Sequence, residues 1–230
     1  DALKPEYRLA FEYSDCWVED SRLVVLNAVD AKSRGAEVLT RKRCTSLVRS
    51  GDHWDAVLEG PTGSETRSFK AVVNAAGAWV DDILGLDPGK KTETHLRLVK
   101  GSHIIVPRWH EGDHAYFFQP GDVVATYSGV RPLYDDHAAN ASKVTRDYVL
   151  KLDDEAGAPI LSVFGGKITT YRELAEDALQ TLEDIFPSAG KEWTRDADLP
   201  GGDMPGADFD GFFIGLKRDY PNLDANLLER

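Results

Sequence analysis

The sequence predicts a mixed α/β fold in which strands that turn into helices frame a separate antiparallel sheet. Three observations carry this. VVNAAGAWV at 72–80 is a short apolar run that ends on Ala75, Ala76 and Gly77 before a helical period resumes. ILSVFGGKITTYR at 160–172 repeats the plan, with Gly165 and Gly166 between strand and helix. Between them, residues 95–130 alternate apolar and polar positions and carry few helix signals, as antiparallel strands do.

Taken in order, Ser21 can cap a helix carrying Leu23, Val24, Leu26, Asn27 and Val29, and Gly35 suits its stop. AEVLTR at 36–41 reads as a strand. CTSLV and WDAVLE read as two more, joined through the turn-rich RSGDH, and PTGSE reads as a turn leading into SFKAVVNAAG. Trp79, Val80, Ile83 and Leu84 predict a helix. HLRLVKGSHIIVP around Gly101, YFFQ and VVATYSG are the candidate strands of the antiparallel sheet. ILSVF is a buried strand, and Ile168, Tyr171, Leu174, Ala175, Ala178, Leu182 and Ile185 follow at helical spacing. From about 194 the composition shifts to the turn-rich LPGGDMPGADFDG and then to FFIGLKRDYPNLDANLLER, which reads as helical.

Bulk properties bound the function classes. A chain of 230 residues with 42% hydrophobic and 29% charged residues can bury a sizeable core. Its net charge of −12 argues against a nucleic-acid surface. No apolar run approaches the ~18–20 residues of a membrane span, and no secretion signal or lipidation signal is visible. Cys16 and Cys44 lack CxxC spacing and read as reduced thiols of a cytosolic protein. No HxH spacing occurs, the histidines of HEGDH at 110–114 lie in a polar, loop-like string and read as solvated, and no acidic cluster has ligand spacing, so no metal site is expected. Asp1 as the first residue points to a piece of something longer.

Against that acidic background, three strings place cations among glycines and turn residues. They are TYSGVRPL with Arg131, VTRDY with Arg146, and SVFGGKITTYR with Lys167. A guanidinium binds phosphate as a bidentate fork, so Arg131 and Arg146 are candidates for an anion clamp. The plainer reading of Arg146 is a salt bridge with a nearby acid. Gly165 and Gly166, opening a helix, can offer backbone N–H groups to a cofactor, with Lys167 aimed at the reaction centre. The plainer reading is a tight βα turn. His103 in KGSHIIVP has the side chain suited to removing a hydroxyl proton near neutral pH, and its plainer role is a hydrogen-bonded histidine at a sheet edge. Ala75, Ala76 and Gly77 would let a flat or charged cofactor come close, or serve helix–sheet packing.

In their order, FEYSDCWVEDSRLV, GAEVLTR, VVNAAGAWV, RLVKGSHIIVP, TYSGVRPLYDD, VTRDY and LSVFGGKITTYRELAE resemble the FAD-dependent, quinone-linked glycerol-3-phosphate dehydrogenase family up to about residue 202. The resemblance implies part of an FAD-binding two-dinucleotide-fold domain at 1–94 and 150–193. It implies a substrate-binding antiparallel sheet at 95–149 and the start of a C-terminal helical region at 194–230. The implied reaction is oxidation of sn-glycerol 3-phosphate to dihydroxyacetone phosphate, with electrons passing to membrane quinone. It also implies a cytoplasmic protein, peripheral on the inner face of the membrane, and leaves a homodimer open. Carried onto this sequence, Arg131 and then Arg146 hold the phosphate, and His103 and Lys167 stand around the reacting carbon. Ala76, Gly77, Gly165, Gly166, Lys167 and Thr169 lie beside the cofactor.

The sequence departs from the family in two places. No GxGxxG strand–turn–helix occurs in these 230 residues, so this chain alone is expected to hold FAD weakly or not at all. Between YFFQPGD and VVATYSG the family carries further residues, so a missing segment is expected near Asp122–Val123. Two other functions stay open at this point. One is a flavin-dependent amino-acid or amine oxidase of the same broad fold, because two cations suit a carboxylate as well. The other is a non-catalytic fragment or binding remnant.

Overall fold

The computed structural model describes residues 18–89, 94–105, 107, 125–135 and 147–228. Within it the chain divides into two compact units, one built on residues 41–190 and the other on 18–40 with 191–228.

The larger unit begins with a meander of three antiparallel strands, β1 (Arg43–Ser50), β2 (His53–Gly60) and β3 (Gly63–Phe69). The two-residue turn at Gly51-Asp52 suits a hairpin, and Gly51 has the positive φ of +67° that such a turn requires. A register shift between Cys44 and Ser46 bulges β1. Trp54 is fully buried, and its indole N–H donates to the Pro159 carbonyl at 2.9 Å, which ties the meander to the next sheet. β3 is a strand where PTGSE read as a turn. Glu65, Arg67 and Phe69 alternate with small polar residues there, and cross-strand pairing with β2 supplies what local propensity does not.

The second sheet has the order β4–β8–β7, from β4 (Val72–Asn74), β7 (Val149–Asp153) and β8 (Ile160–Phe164). β4 runs parallel to β8, and β7 runs antiparallel to it. All five residues of β8 are buried, as a near-continuous apolar run at the centre of a sheet should be. Alternation sends them to different clusters. Ile160 packs with Leu47, Trp54 and Ala56 of the meander. Leu161 packs with Ala178 and Leu182 of the helix that follows β8. Phe164 packs with Val80 and Leu96.

After β4 come a 3-10 turn (Gly77–Trp79) and the short helix α2 (Val80–Leu84). After β8 come a 3-10 turn (Ile168–Thr170) and α3 (Tyr171–Thr181). A two-stranded antiparallel ribbon, β5 (Leu96–Ile105) with β6 (Ala125–Tyr134), lies between these segments in sequence. The expected antiparallel pairing is therefore present over these two strands, while YFFQ and the Asp122–Val123 junction lie outside the described residues.

In the smaller unit α1 is Asp20–Ser33, and it is followed by irregular chain rather than by a strand at AEVLTR. Those residues are mostly exposed and have no strand partner, so β-branched content alone does not make a strand. Glu19, not Ser21, occupies the N-cap, and Ser21 sits inside the first turn. Gly35 does close the helix, with φ of +98° and its N–H donated to the Lys32 carbonyl. The Arg34 guanidinium lies 4.0 Å over the Trp193 ring. The C-terminal helices are α4 (Phe209–Asp219) and α5 (Ala225–Leu228), and α4 is capped by the Asp208 carboxylate accepting from the Gly211 N–H. Among the described residues no helix is long and apolar enough to cross a membrane.

Candidate functional site

Two turns leave the same edge of the second sheet. β4 and β8 are parallel neighbours with Asn74 opposite Ser162. Their carboxyl ends therefore point the same way, and ligands of open α/β sheets bind outside such ends. The first turn is Ala75-Ala76-Gly77. It is shaped by the buried Asn74 amide, which donates to the Val80 carbonyl at 2.9 Å and accepts from the Ala76 N–H at 3.4 Å. Gly77 has φ of +58°, and a Cβ built on it would meet nothing within 4 Å. The backbone there is open to a ligand.

The second turn is Gly165-Gly166-Lys167, and both glycines are required. Gly165 has φ of +72°, and a Cβ on it would stand 3.0 Å from the Asp147 carbonyl oxygen and 3.7 Å from that of Pro132. Gly166 has φ of +99°, and its Cβ would press on Leu174 at 3.2 Å and Tyr148 at 3.6 Å. These contacts bring the three cation-bearing strings together, since Pro132 belongs to TYSGVRPL and Asp147 and Tyr148 to VTRDY. Lys167 is extended and exposed, and its carbonyl accepts from the Thr170 N–H at 3.1 Å and the Thr170 hydroxyl at 3.2 Å. Thr169 is exposed within the 3-10 turn. The chain does not run straight from the glycines into the helix, as the sequence suggested. α3 starts at Tyr171, because Lys167 keeps extended dihedrals and the next three residues tighten into 3-10 geometry. The small exposed turns at 75–77 and 165–167 fit the edge of a flat cofactor such as a flavin, for they bring backbone rather than side chains to that surface.

The ribbon carries the remaining candidates. His103 pairs with Tyr127, Gly101 with Gly129 and Val99 with Arg131. Residues two apart share a face of a strand, so His103, Tyr127 and Arg131 lie on one face, with a glycine pair between them. The His103 ring stacks on Tyr127 with centroids 4.4 Å apart and planes 8° apart. Arg131 is exposed. The rungs that bear His103 and Arg131 are four residues apart, about 14 Å at ~3.4 Å per residue. The side-chain-free glycine rung between them leaves room for a small molecule. Arg146 lies outside the described residues.

Sequence reasoning missed two contributors. The Tyr148 hydroxyl donates to the Asp177 carboxylate on α3. That bond, with burial behind it, pushes the Tyr148 pKa up to about 12, so the phenol stays protonated. Tyr148 thus ties VTRDY to α3 directly behind Gly166. Its signal was its place inside a string noted for its arginine. The second contributor is Asp81 on α2. It accepts from His95 and Leu96 at the start of β5, and nothing in the local sequence marks residues 14 and 15 positions away as its partners.

The chain is similar to known proteins. Residues 1–122 match the family described as FAD dependent oxidoreductase. Over 97% of its length the chain is 39% identical to D-erythritol 1-phosphate dehydrogenase of Brucella abortus, covering 56% of that protein. It is 38% identical to aerobic glycerol-3-phosphate dehydrogenase of Escherichia coli over 98% of the chain and 56% of the relative. It is 40% identical to glycerol-3-phosphate dehydrogenase of Pseudomonas aeruginosa over 88% of the chain and 51% of the relative. The chain spans about half the length of the curated relatives it matches. The first alignment runs over 281 positions against the chain's 230 residues, so at least 51 of those positions have no counterpart here. The chain belongs to the FAD-dependent oxidoreductase family.

Proposed function

We propose that this chain carries the substrate-binding part, and one edge of the cofactor site, of a dehydrogenase that oxidises a polyol monophosphate with FAD. The chosen substrate is sn-glycerol 3-phosphate, with dihydroxyacetone phosphate as product. The observation that carries the reading is the shared face of the ribbon, where Arg131 and the His103–Tyr127 pair bracket the bare Gly101–Gly129 rung, while the Pro132 carbonyl, next to Arg131, approaches Gly165. Relatives named for glycerol 3-phosphate and for D-erythritol 1-phosphate support it, because both names describe a hydroxylated carbon chain with one phosphate.

In this reading Arg131 forks onto the phosphate and fixes the position of C2. Arg146 is a second phosphate ligand. His103, its ring oriented by the stack on Tyr127, takes the C2 hydroxyl proton. Lys167 stabilises the negative charge that grows on that oxygen. Ala76, Gly77, Gly165, Gly166 and Thr169 would lie against FAD, which supplies a hydride acceptor when bound. The electrons pass on to a quinone, and the protein works at the inner face of the membrane. The aligned positions of the relatives that have no counterpart here we assign to the junction near Asp122–Val123, where the family match also ends. A carboxylate or amine substrate is the competing reading of the same cations, and the phosphate-bearing names of the relatives weigh against it.

The test is an NMR-detected titration of the chain with glycerol 3-phosphate, D-erythritol 1-phosphate and an amino-acid panel. Shifts centred on residues 99–103 and 127–131 with either phosphate, and none with amino acids, are expected. The reverse pattern would reject the assignment.

A further inference from the structure

The ribbon of β5 and β6 is rooted at Leu96 opposite Tyr134. Leu96 is buried with Val80 and Phe164, and Tyr134 meets Phe164 edge-on at 5.6 Å. Farther out, Leu98, Lys100 and residues 102–105 of β5 are exposed. With a rise of ~3.4 Å per residue His103 sits about 24 Å from the root, so a tilt of roughly 10° there displaces it by about 4 Å. An error near 1 Å in the alignment of reacting groups can cost about 100-fold in rate. The direction in which the ribbon leaves its root is therefore a functional quantity. Apolar packing is non-directional and sets it loosely, whereas hydrogen bonds set it sharply.

Asp81 on α2 supplies the directional contacts. One of its carboxylate oxygens accepts from the backbone N–H groups of His95 at 3.0 Å and Leu96 at 3.2 Å. The other lies 2.9 Å from His95 Nδ1. A carboxylate only accepts, so the proton on the His95 ring faces Asp81 from Nδ1. The His95 carbonyl accepts from the Asp135 N–H at 2.8 Å, which draws the end of β6 onto the same residue. Its ring packs 5.2 Å from Phe164, the residue that precedes Gly165. Both side chains are about four-fifths buried, with 19% of Asp81 and 21% of His95 exposed.

We infer that Asp81, acting through His95, is a positioning residue that sets the direction of the β5–β6 ribbon and so places His103 and Arg131 relative to the Gly165–Gly166 corner. The inference rests on the reading of that ribbon as the polyol-phosphate site. Asp81 touches neither substrate nor cofactor in this scheme. It holds the root of the strand that does.

The experiment uses the full chain with Asp81→Asn, His95→Ala and His95→Asn. Ribbon orientation is read from residual dipolar couplings of β5–β6 amides against those of β7–β8, and binding from titration with glycerol 3-phosphate. Asp81→Asn should shrink the ribbon couplings about two-fold while those of β7–β8 hold. The same change should weaken glycerol 3-phosphate binding about 10-fold. His95→Ala should do the same. His95→Asn, whose side-chain N–H can replace Nδ1–H toward Asp81, should restore most of both. Unchanged ribbon couplings in Asp81→Asn would overturn the inference. So would equal loss in both sheets, which would mark general stability, and so would His95→Asn behaving as His95→Ala. Should Asp81→Asn not fold, the two His95 variants decide by themselves. If the wild-type chain binds neither polyol phosphate, the substrate reading fails, while the couplings still decide whether Asp81 orients the ribbon.

Discussion

Strands β5 and β8 draw on similar residues and meet opposite fates. ILSVF is buried at every position, with a neighbouring strand on each side and clusters on both faces. LRLVKGSHII is buried only at Leu96, and its two isoleucines are exposed. The difference teaches where this protein keeps stability and where it keeps chemistry. β8 is a structural axis, and its function lies in what it presents at its end. The ribbon contributes little core and carries the polar groups proposed to hold a substrate. Region by region, mutations should separate along this line.

The largest effect should come from the axis. Phe164→Ala removes a ring that is 1% exposed and holds Val80, Leu96 and Tyr134 together, and it should destabilise the chain by about 3–5 kcal/mol in urea unfolding. Leu98→Ala on the ribbon, at a side chain 54% exposed, should cost less than about 0.5 kcal/mol. Equal losses would erase the contrast. Next, Gly165→Ala puts a Cβ 3.0 Å from the Asp147 carbonyl at a φ of +72°, and it should cost about 1–3 kcal/mol in the same assay. It should weaken glycerol 3-phosphate binding as well, because the corner joins the two regions.

Arg131→Ala should sharpen the comparison from the other side. Losing charged hydrogen bonds of about 1.5–3 kcal/mol corresponds to roughly 10- to 100-fold weaker glycerol 3-phosphate binding, with the urea midpoint held. A shifted midpoint with intact binding would place Arg131 on the structural side of the line.

The smallest effect concerns polar groups at the turn end of the β1–β2 hairpin and Ser68 of the neighbouring β3. The Ser68 hydroxyl, then that of Ser50, holds the Asp55 carboxyl below the usual carboxylate range, and His53 adds to this. His53 is raised, chiefly by its hydrogen bond to Asp52. A lowered carboxylate lends stability above its unfolded value, which is lost as pH falls through the folded one. A raised histidine lends stability below its unfolded value, which is lost as pH rises through the folded one. The hairpin should be tightest between about pH 4 and 6.5. NMR titration of the Asp55 carboxyl and the His53 ring checks both signs, and ordinary values for the two groups would remove the effect.

Much of the first comparison was legible beforehand. ILSVF between a turn and Gly165-Gly166 announced a buried strand, and VVN before Ala75-Ala76-Gly77 announced another, though not that the two pair in parallel. α3 was visible in the spacing of Leu174, Ala178 and Leu182. What failed were segments whose state depends on partners. AEVLTR looks like a strand and finds no ladder. PTGSE looks like a turn, yet its last three residues open β3 because β2 offers a ladder. Ser21 has the chemistry of a cap, but α1 starts one residue before it.

By itself the sequence determined the local grammar of this protein. It determined which apolar runs are long enough to bury, where glycines permit positive φ, and which strings gather cations in an acidic chain. Those properties follow from side-chain chemistry and short-range sterics, which travel with the residue. Only the tertiary structure decided that Arg131 and His103 share one face across a glycine rung, that Gly165 and Gly166 are demanded by the Asp147 carbonyl, Leu174 and Tyr148, and that Asp81 accepts from the backbone amides of His95 and Leu96 at the start of β5. Each depends on strand register or on contact between residues far apart in the chain. A one-residue slip in register would turn every ribbon side chain to the other face without changing a letter of the sequence.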